Sequence, residues 1–150
     1  QRYEIWTMQS GWHNLPTFDG VMQLPGAAYA ARDIRVGEGC ISAELSGAYP
    51  PIRGLGSYRR TVSVTEEGVA LSDRTDWDGE VELTLMTQRR PQLSPGGLAL
   101  EDLGVIRISS GAEISLQPVP VEDPRLRTAW PDTLWKISIY FYKSLDLFLE

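Results

Sequence analysis

The chain has 150 residues, 42% of them hydrophobic and 23% charged, with a formal net charge of −6. That length supports one hydrophobic core and is short for two. The acidic balance excludes an ordinary nucleic-acid-binding surface, which carries a basic excess, and no apolar run approaches the ~20 residues that span a bilayer. Neither nucleic acid nor membrane is therefore expected as a partner.

In chain order the pattern is strand, turn, strand. "RYEIWTMQ" alternates Tyr3, Ile5 and Thr7 against Glu4, Trp6 and Met8 and reads as a strand. "LPTFDGVMQLPG" places Asp19-Gly20 between short apolar stretches, a hairpin signal. "AYAARDIRV" and "GCISAELSGAYP" give the next two strands. Cys40 is the only cysteine, which rules out an internal disulfide, and at a strand start it reads as a buried small hydrophobe. In "SYRRTVSV", Tyr58, Arg60, Val62 and Val64 share one face. Val69 to Ser72 makes a short strand, and "EVELTLMTQ" sets Val81, Leu83 and Leu85 against Glu82, Thr84 and Met86. "RRPQLSPGG" reads as a loop. "LALEDLGVIRISSGAEISLQPVPV" holds two or three strands, "EDPRLRTAWPDTL" is a longer excursion, and "WKISIYFYKSLDLFLE" alternates again, with a break expected at Ser144. Ten prolines and fourteen glycines suit such a turn-dense chain. The expectation is an all-β, antiparallel two-sheet β-sandwich of about ten to twelve short strands, occupying residues 1–150 as a single domain. The start "QRYEIWTMQS" has neither an initiator Met nor the order of a signal peptide, so a piece of a longer chain or a processed product is expected.

The one histidine, His13, stands in "SGWHNLPTFDGVMQ" between Trp12 and Asn14. Imidazole exchanges a proton near neutrality, and an Asn amide can hydrogen-bond a carboxylate. On the residues alone, the simpler reading is a loop histidine satisfied by backbone, with Asn14 bracing the turn before Pro16. Of the five tryptophans, Trp12 is the best placed to stack on a sugar ring. Trp6 and Trp135 sit in strand patterns and read as core, while Trp77 and Trp130 fit either role. Arginines gather at Arg53, Arg59, Arg60, Arg74, Arg89 and Arg90, so a local field can oppose the net charge.

The stretch "SGWHNLPTFDGVMQLPG" resembles the His-Asn segment of the heparinase II/III-like polysaccharide lyases, in which a His-Asn pair precedes an (N/D)G turn and a Gln. "ELSGAYP", "SYRRTVSV" and "VALSDRTDWDGEVELTLMTQRRP" follow in the order that family shows, so the resemblance runs from Arg2 to Pro91. It implies the C-terminal sandwich of a larger chain whose N-terminal part is an α/α toroid, acting by β-elimination on uronic-acid-containing polysaccharides. By that resemblance His13 and Tyr49 are the candidate catalytic residues, and Trp12, Asn14, Gln23 and Arg59 the candidate substrate-binding ones. Asn14 can hold the loop rather than touch sugar, Gln23 is either a cleft contact or a backbone brace, and a buried Tyr49 with a bonded hydroxyl is the plainer alternative. At most one of the adjacent pair Arg59 and Arg60 can enter the site. Some family members hold a metal through two His and an Asp. With one histidine here that set cannot form, although Asp33 or Asp73 offers a carboxylate and Tyr58 stands where a His is lost. No metal or other cofactor is expected. Whether His13 matches the proton carrier, a substrate contact or a remnant metal ligand stays open. The implied partners are an acidic polysaccharide or oligosaccharide and the toroid of the same parent chain, and the isolated piece is expected to be inactive. The alternatives are a non-catalytic carbohydrate-binding module, on the strength of the loop tryptophans, and a structural sandwich, which would expose a large apolar patch.

Overall fold

The computed structural model describes residues 4–101 and 103–150. Twelve strands are found among them, in two antiparallel sheets. The smaller sheet has the order β1-β6-β11-β10, built from β1 (Pro16–Phe18), β6 (Val81–Thr87), β11 (Thr133–Phe141) and β10 (Glu113–Pro120). The larger runs β2-β3-β4-β5-β12-β9-β8-β7, with β2 (Arg32–Gly37), β3 (Cys40–Glu44), β4 (Tyr58–Thr65), β5 (Gly68–Thr75), β12 (Ser144–Leu149), β9 (Gly104–Ile108), β8 (Gly97–Leu100) and β7 (Gln92–Ser94). The expected all-β sandwich is what forms.

Alternation builds the core. In β6 and β11 the register sets Val81 beside Phe141, Leu83 beside Ile139 and Leu85 beside Ile137. Cross-strand partners share a face, so these side chains form one apolar layer. Across the gap the larger sheet supplies Tyr58, Leu98, Ile106, Leu145 and Leu147. Phe18 ties the aromatic end together, with ring centroids 5.1 Å from Tyr49, 5.6 Å from Tyr58 and 6.2 Å from Trp77, all near edge-on. The Asp19-Gly20 turn forms as its residues require. Both have positive φ, 50° and 74°, and Phe18 bridges to Val21 across the turn.

Two expectations are corrected. "RYEIWTMQ" is not a strand: Trp6–Met8 and Ser10–Trp12 are 3-10 turns. The Arg2 and Tyr3 positions of that reading lie outside the described residues. Trp6 is packed without strand pairing: with Trp12 it lies on a second, smaller cluster formed by Val119, Val121 and Leu134, while Ile5 and Met8 stay exposed. "RRPQLSPGG" is not wholly loop, since β7 pairs with β8 through a tight turn at Pro95-Gly96.

The larger sheet outreaches the smaller. Val36 pairs with Ile41, Ile41 with Val62, and Val64 with Val69, all on the face that carries Tyr58 further along β4. There the smaller sheet gives little cover: Val36 is 78% exposed and Val64 61%. This is an apolar extension of the inner face.

Glu44, at the end of β3, is buried and has no cationic partner among the described residues. Its carboxylate accepts hydrogen bonds from the Tyr58 N–H at 2.7 Å, the Ser57 hydroxyl at 2.7 Å and the Ser46 N–H at 3.1 Å. Burial alone would raise its pKa. The Tyr58, Ser57 and Ser46 donors outweigh that and lower it to about 2 from the ordinary 4.5. A depressed carboxyl stabilises the fold above its unfolded pKa, and that contribution fades as pH falls from about 4.5 towards 2. Glu44→Gln is therefore expected to lose about 1–3 kcal/mol at pH 7. Urea unfolding from pH 7 to pH 2 should show the gap between wild type and variant narrowing below pH 4.5. A gap constant over that range would contradict this account.

Candidate functional site

The outer face of the smaller sheet is unusual. The solvent side of an antiparallel sheet is ordinarily polar, yet Met86, Leu134 and Val119 point outward here, on the strand faces opposite Leu85 and Ile137. Two irregular segments cover them. One is the N-terminal pair of 3-10 turns, and the other is the excursion between β10 and β11, which carries Leu126 and Trp130. Trp6 packs edge-on to Trp12 at 4.9 Å and tilted to Trp130 at 6.2 Å. A cleft of about 230 Å³ remains between the two segments. Trp6, Trp12 and Trp130 wall it, Met86 and Leu134 form its floor, and His13, Thr7 and Gln88 lie on its rim.

His13 is exposed and lines this cleft. Its Nε2 lies 3.1 Å from the Thr7 carbonyl. A carbonyl only accepts, so Nε2 carries a proton and Nδ1 holds the lone pair of the neutral ring. Trp12 beside it is half-buried. Lys136 stands over the Trp12 ring at 5.3 Å, and its ammonium pairs with Glu82 at 2.8 Å. Burial would raise the Glu82 pKa, but hydrogen bonds from Lys136 and Ser138 leave it below the usual carboxylate range.

The segment holding His13 is neither strand nor helix, so its carbonyls need partners from elsewhere. They come from the opposite sheet and its flanking turn. The Arg60 guanidinium donates to the Asn14 carbonyl. The Tyr49 hydroxyl, 3% exposed with its residue, donates to the Pro16 carbonyl at 2.7 Å. Arg60 is itself fixed by a two-pronged pair with Asp73, Nε to Oδ1 at 2.7 Å and Nη2 to Oδ2 at 2.6 Å. The Tyr58 hydroxyl donates to the same carboxylate at 3.0 Å. Burial, and then the Asp73 charge, push the Tyr58 phenol well above its ordinary pKa. Burial raises Tyr49 likewise, so its hydroxyl stays protonated and serves as a donor.

The six residues named from sequence thus separate into three groups. His13 and Trp12 share the cleft, and Asn14 is exposed beside them, held by its main-chain carbonyl rather than by its amide. Tyr49 and Gln23 lie behind the segment as braces. The Gln23 N–H donates to Ser10 Oγ at 2.9 Å, and its side chain lies near the Tyr49 hydroxyl. Arg59 lies apart, on the other face of β4 from Arg60, where it binds the Asp33 carboxylate. Of the adjacent pair, Arg60 is the one that reaches the His13 segment. Sequence reasoning missed Trp6 and Gln88 in the cleft, left Trp130 open between sugar contact and core, and missed the tie from Arg60 to Asp73 behind it. The signal for the tie was present: an arginine on the same face as Tyr58 and Val62 requires a buried carboxylate, and the next strand offers Asp73. No cluster of three metal-ligating side chains occurs among the described residues.

Removing one partner of a buried ion pair strands the other. Arg60→Met or Asp73→Asn is expected to lose about 3–5 kcal/mol in urea unfolding, and the double variant Arg60→Met with Asp73→Leu should regain most of it. The Asn14 carbonyl stays without its donor in the double variant, so the His13 ring resonances in NMR should remain displaced. Wild-type resonances there would disprove the link between the pair and the site.

No family model and no curated protein matches this sequence. Among solved structures, the fold is similar to the crystal structure of heparinase III, with a TM-score of 0.61 and 14% sequence identity over 96% of this chain. The chain spans 24% of that structure's length. At this identity the likeness is one of fold.

Proposed function

We propose that this chain is the β-sandwich portion of a polysaccharide lyase acting on uronic-acid-containing glycans, and that His13 lies on the wall of its cleft. The observation that carries the reading is an exposed imidazole, its Nδ1 without a hydrogen-bond partner among the described residues, on the rim of a tryptophan-walled cleft. The sandwich likeness to heparinase III supports it.

In β-elimination a base removes the proton from the sugar carbon bearing the carboxylate. The freed electron pair forms the double bond, the glycosidic C–O bond breaks, and the departing oxygen takes a proton. Negative charge grows on the carboxyl group in the transition state, where hydrogen-bond donors act most strongly. His13 suits the proton work at Nδ1, because its Nε2–H is held by the Thr7 carbonyl and fixes the tautomer. Asn14 lies beside it with an exposed amide that can meet the carboxylate. Tyr49, Gln23 and Arg60 act through the backbone of this segment, as positioning groups. The remaining catalytic groups would come from a helical toroid of the same parent chain, so these 150 residues alone would not turn over. The apolar extension around Val36, Ile41 and Val64 suits a sandwich that also supports a neighbouring domain.

A second reading is a carbohydrate-binding module without catalysis. The three cleft tryptophans favour it.

The elimination product absorbs in the ultraviolet, so the test follows absorbance in the parent chain on a panel of uronic-acid polymers. His13→Ala should lower turnover by about 100-fold or more if His13 moves a proton. Unchanged turnover would remove that role, and no product from any polymer would leave the binding module.

A further inference from the structure

The tryptophan cleft is one of two concavities that meet at the end of β6. The second, about 660 Å³, opens between the two sheets. Leu85, Ile106 and Ile137 form its floor, and Asn14, Arg89 and Glu101 stand at its rim. Both are bounded by the same three residues, Met86, Thr87 and Gln88. His13 opens to the first and Asn14 to the second. The strand end is therefore a ridge with successive residues of the candidate site on its two sides.

The lobes differ in size and charge. At about 230 Å³ the first lies below the ~300–1,000 Å³ of ordinary ligand pockets. It suits a single ring, so a longer ligand must continue over the ridge. Apart from His13, its lining among the described residues carries no ionisable side chain, and its walls are aromatic faces of the kind that stack on the C–H surface of a pyranose. The second lobe has a cation at its rim: Arg89, paired with Glu101 at 3.4 Å, both side chains more than half exposed. Such surface pairs hold weakly, and a ligand carboxylate can take the place of Glu101. Gln88, on the ridge between them, is exposed and makes no hydrogen bond among the described residues, which leaves its amide available.

We propose that the two lobes form one groove for an acidic oligosaccharide. One pyranose stacks among Trp6, Trp12 and Trp130, the chain crosses the ridge with its glycosidic link at the Gln88 amide, and the next sugar sets its carboxylate against Arg89. This rests on the polysaccharide reading and adds to it the direction of the chain, a second subsite and three binding residues: Trp130, Gln88 and Arg89.

The test uses intrinsic tryptophan fluorescence of the 150-residue chain. The probes are the disaccharides of hyaluronan, unsulfated chondroitin, heparosan and alginate and their constituent monosaccharides, with chitobiose as the neutral control. At least one acidic disaccharide should bind about tenfold more tightly than either of its monosaccharides and than chitobiose. Trp130→Ala should weaken both lengths by about tenfold. Arg89→Gln should abolish the advantage of the disaccharide and leave monosaccharide binding and thermal unfolding unchanged, and Gln88→Ala should reduce that advantage. Equal affinity for both lengths, or an Arg89→Gln variant that keeps the advantage, would overturn the two-lobed groove. Chitobiose binding as well as the acidic probes would overturn the role of Arg89. No response to any probe, with elimination intact in the parent chain, would reject the groove alone. No response together with no elimination would reject both readings.

Discussion

The structure around the candidate site depends on one buried ion pair. Asp73 is fully buried as a side chain and Arg60 is 11% exposed, so both charges have given up most of their water. Such a pair is weak evidence of stability, because desolvation offsets much of the attraction. What it provides is position. Asp73 holds two of the Arg60 nitrogens and the Tyr58 hydroxyl, which leaves another Arg60 nitrogen aimed at the Asn14 carbonyl. The guanidinium is flat and rigid, so fixing two of its nitrogens fixes the direction of the rest. An arrangement set by strands β4 and β5 of the larger sheet is thereby imposed on a loop that leads into the smaller one.

That transfer explains why the His13 segment can be irregular and still ordered. A loop without ladder bonds usually lies in water, where its carbonyls are satisfied for little cost. Here Pro16 is fully buried and the segment runs straight into β1. Its two critical carbonyls, of Asn14 and Pro16, are met by side chains 46 and 33 residues further along the chain. Because the backbone is held on its inner side, His13 and the Asn14 side chain are left on the outer side. The braces and the open groups belong to the same short stretch, and the same hydrogen bonds decide which is which.

Much of the fold was legible because it depends on neighbours in sequence. The two-residue period of Val81, Leu83 and Leu85 and of Ile137 and Ile139 sets their faces without knowledge of any partner. Asp19-Gly20 declares its turn, because positive φ at both residues suits few other pairs. The N-terminal stretch failed on the same rule. Trp6 and Met8 satisfy a strand template, but Trp6 finds its contacts in Trp12 and in Trp130, which lies almost at the other end of the chain. Alternation cannot foresee a partner so distant. The site divides likewise. His13 and Trp12 stand out in sequence because they are chemically conspicuous and adjacent. Tyr49 and Gln23 also stand out, and residue type leaves each open between a cleft contact and a brace; a buried hydroxyl and a main-chain donor make them braces. Glu44 was silent, since a carboxylate satisfied by N–H and hydroxyl donors leaves no charged partner to point to it.

The cleft itself follows from the unequal sheets. Eight strands face four, so the inner side of the larger sheet runs out of cover near Val36 and Val64. The smaller sheet gains a third layer on its other side, where Met86, Val119 and Leu134 would otherwise face water. That layer is made of two chain segments from opposite ends of the sequence, and neither is a helix or a strand long enough to close over the sheet. Two irregular segments cannot interdigitate as closely as two sheets do. The gap they leave is walled by the tryptophans that hold them down, so the residues that stabilise the third layer are the same ones that give the cleft its aromatic surface.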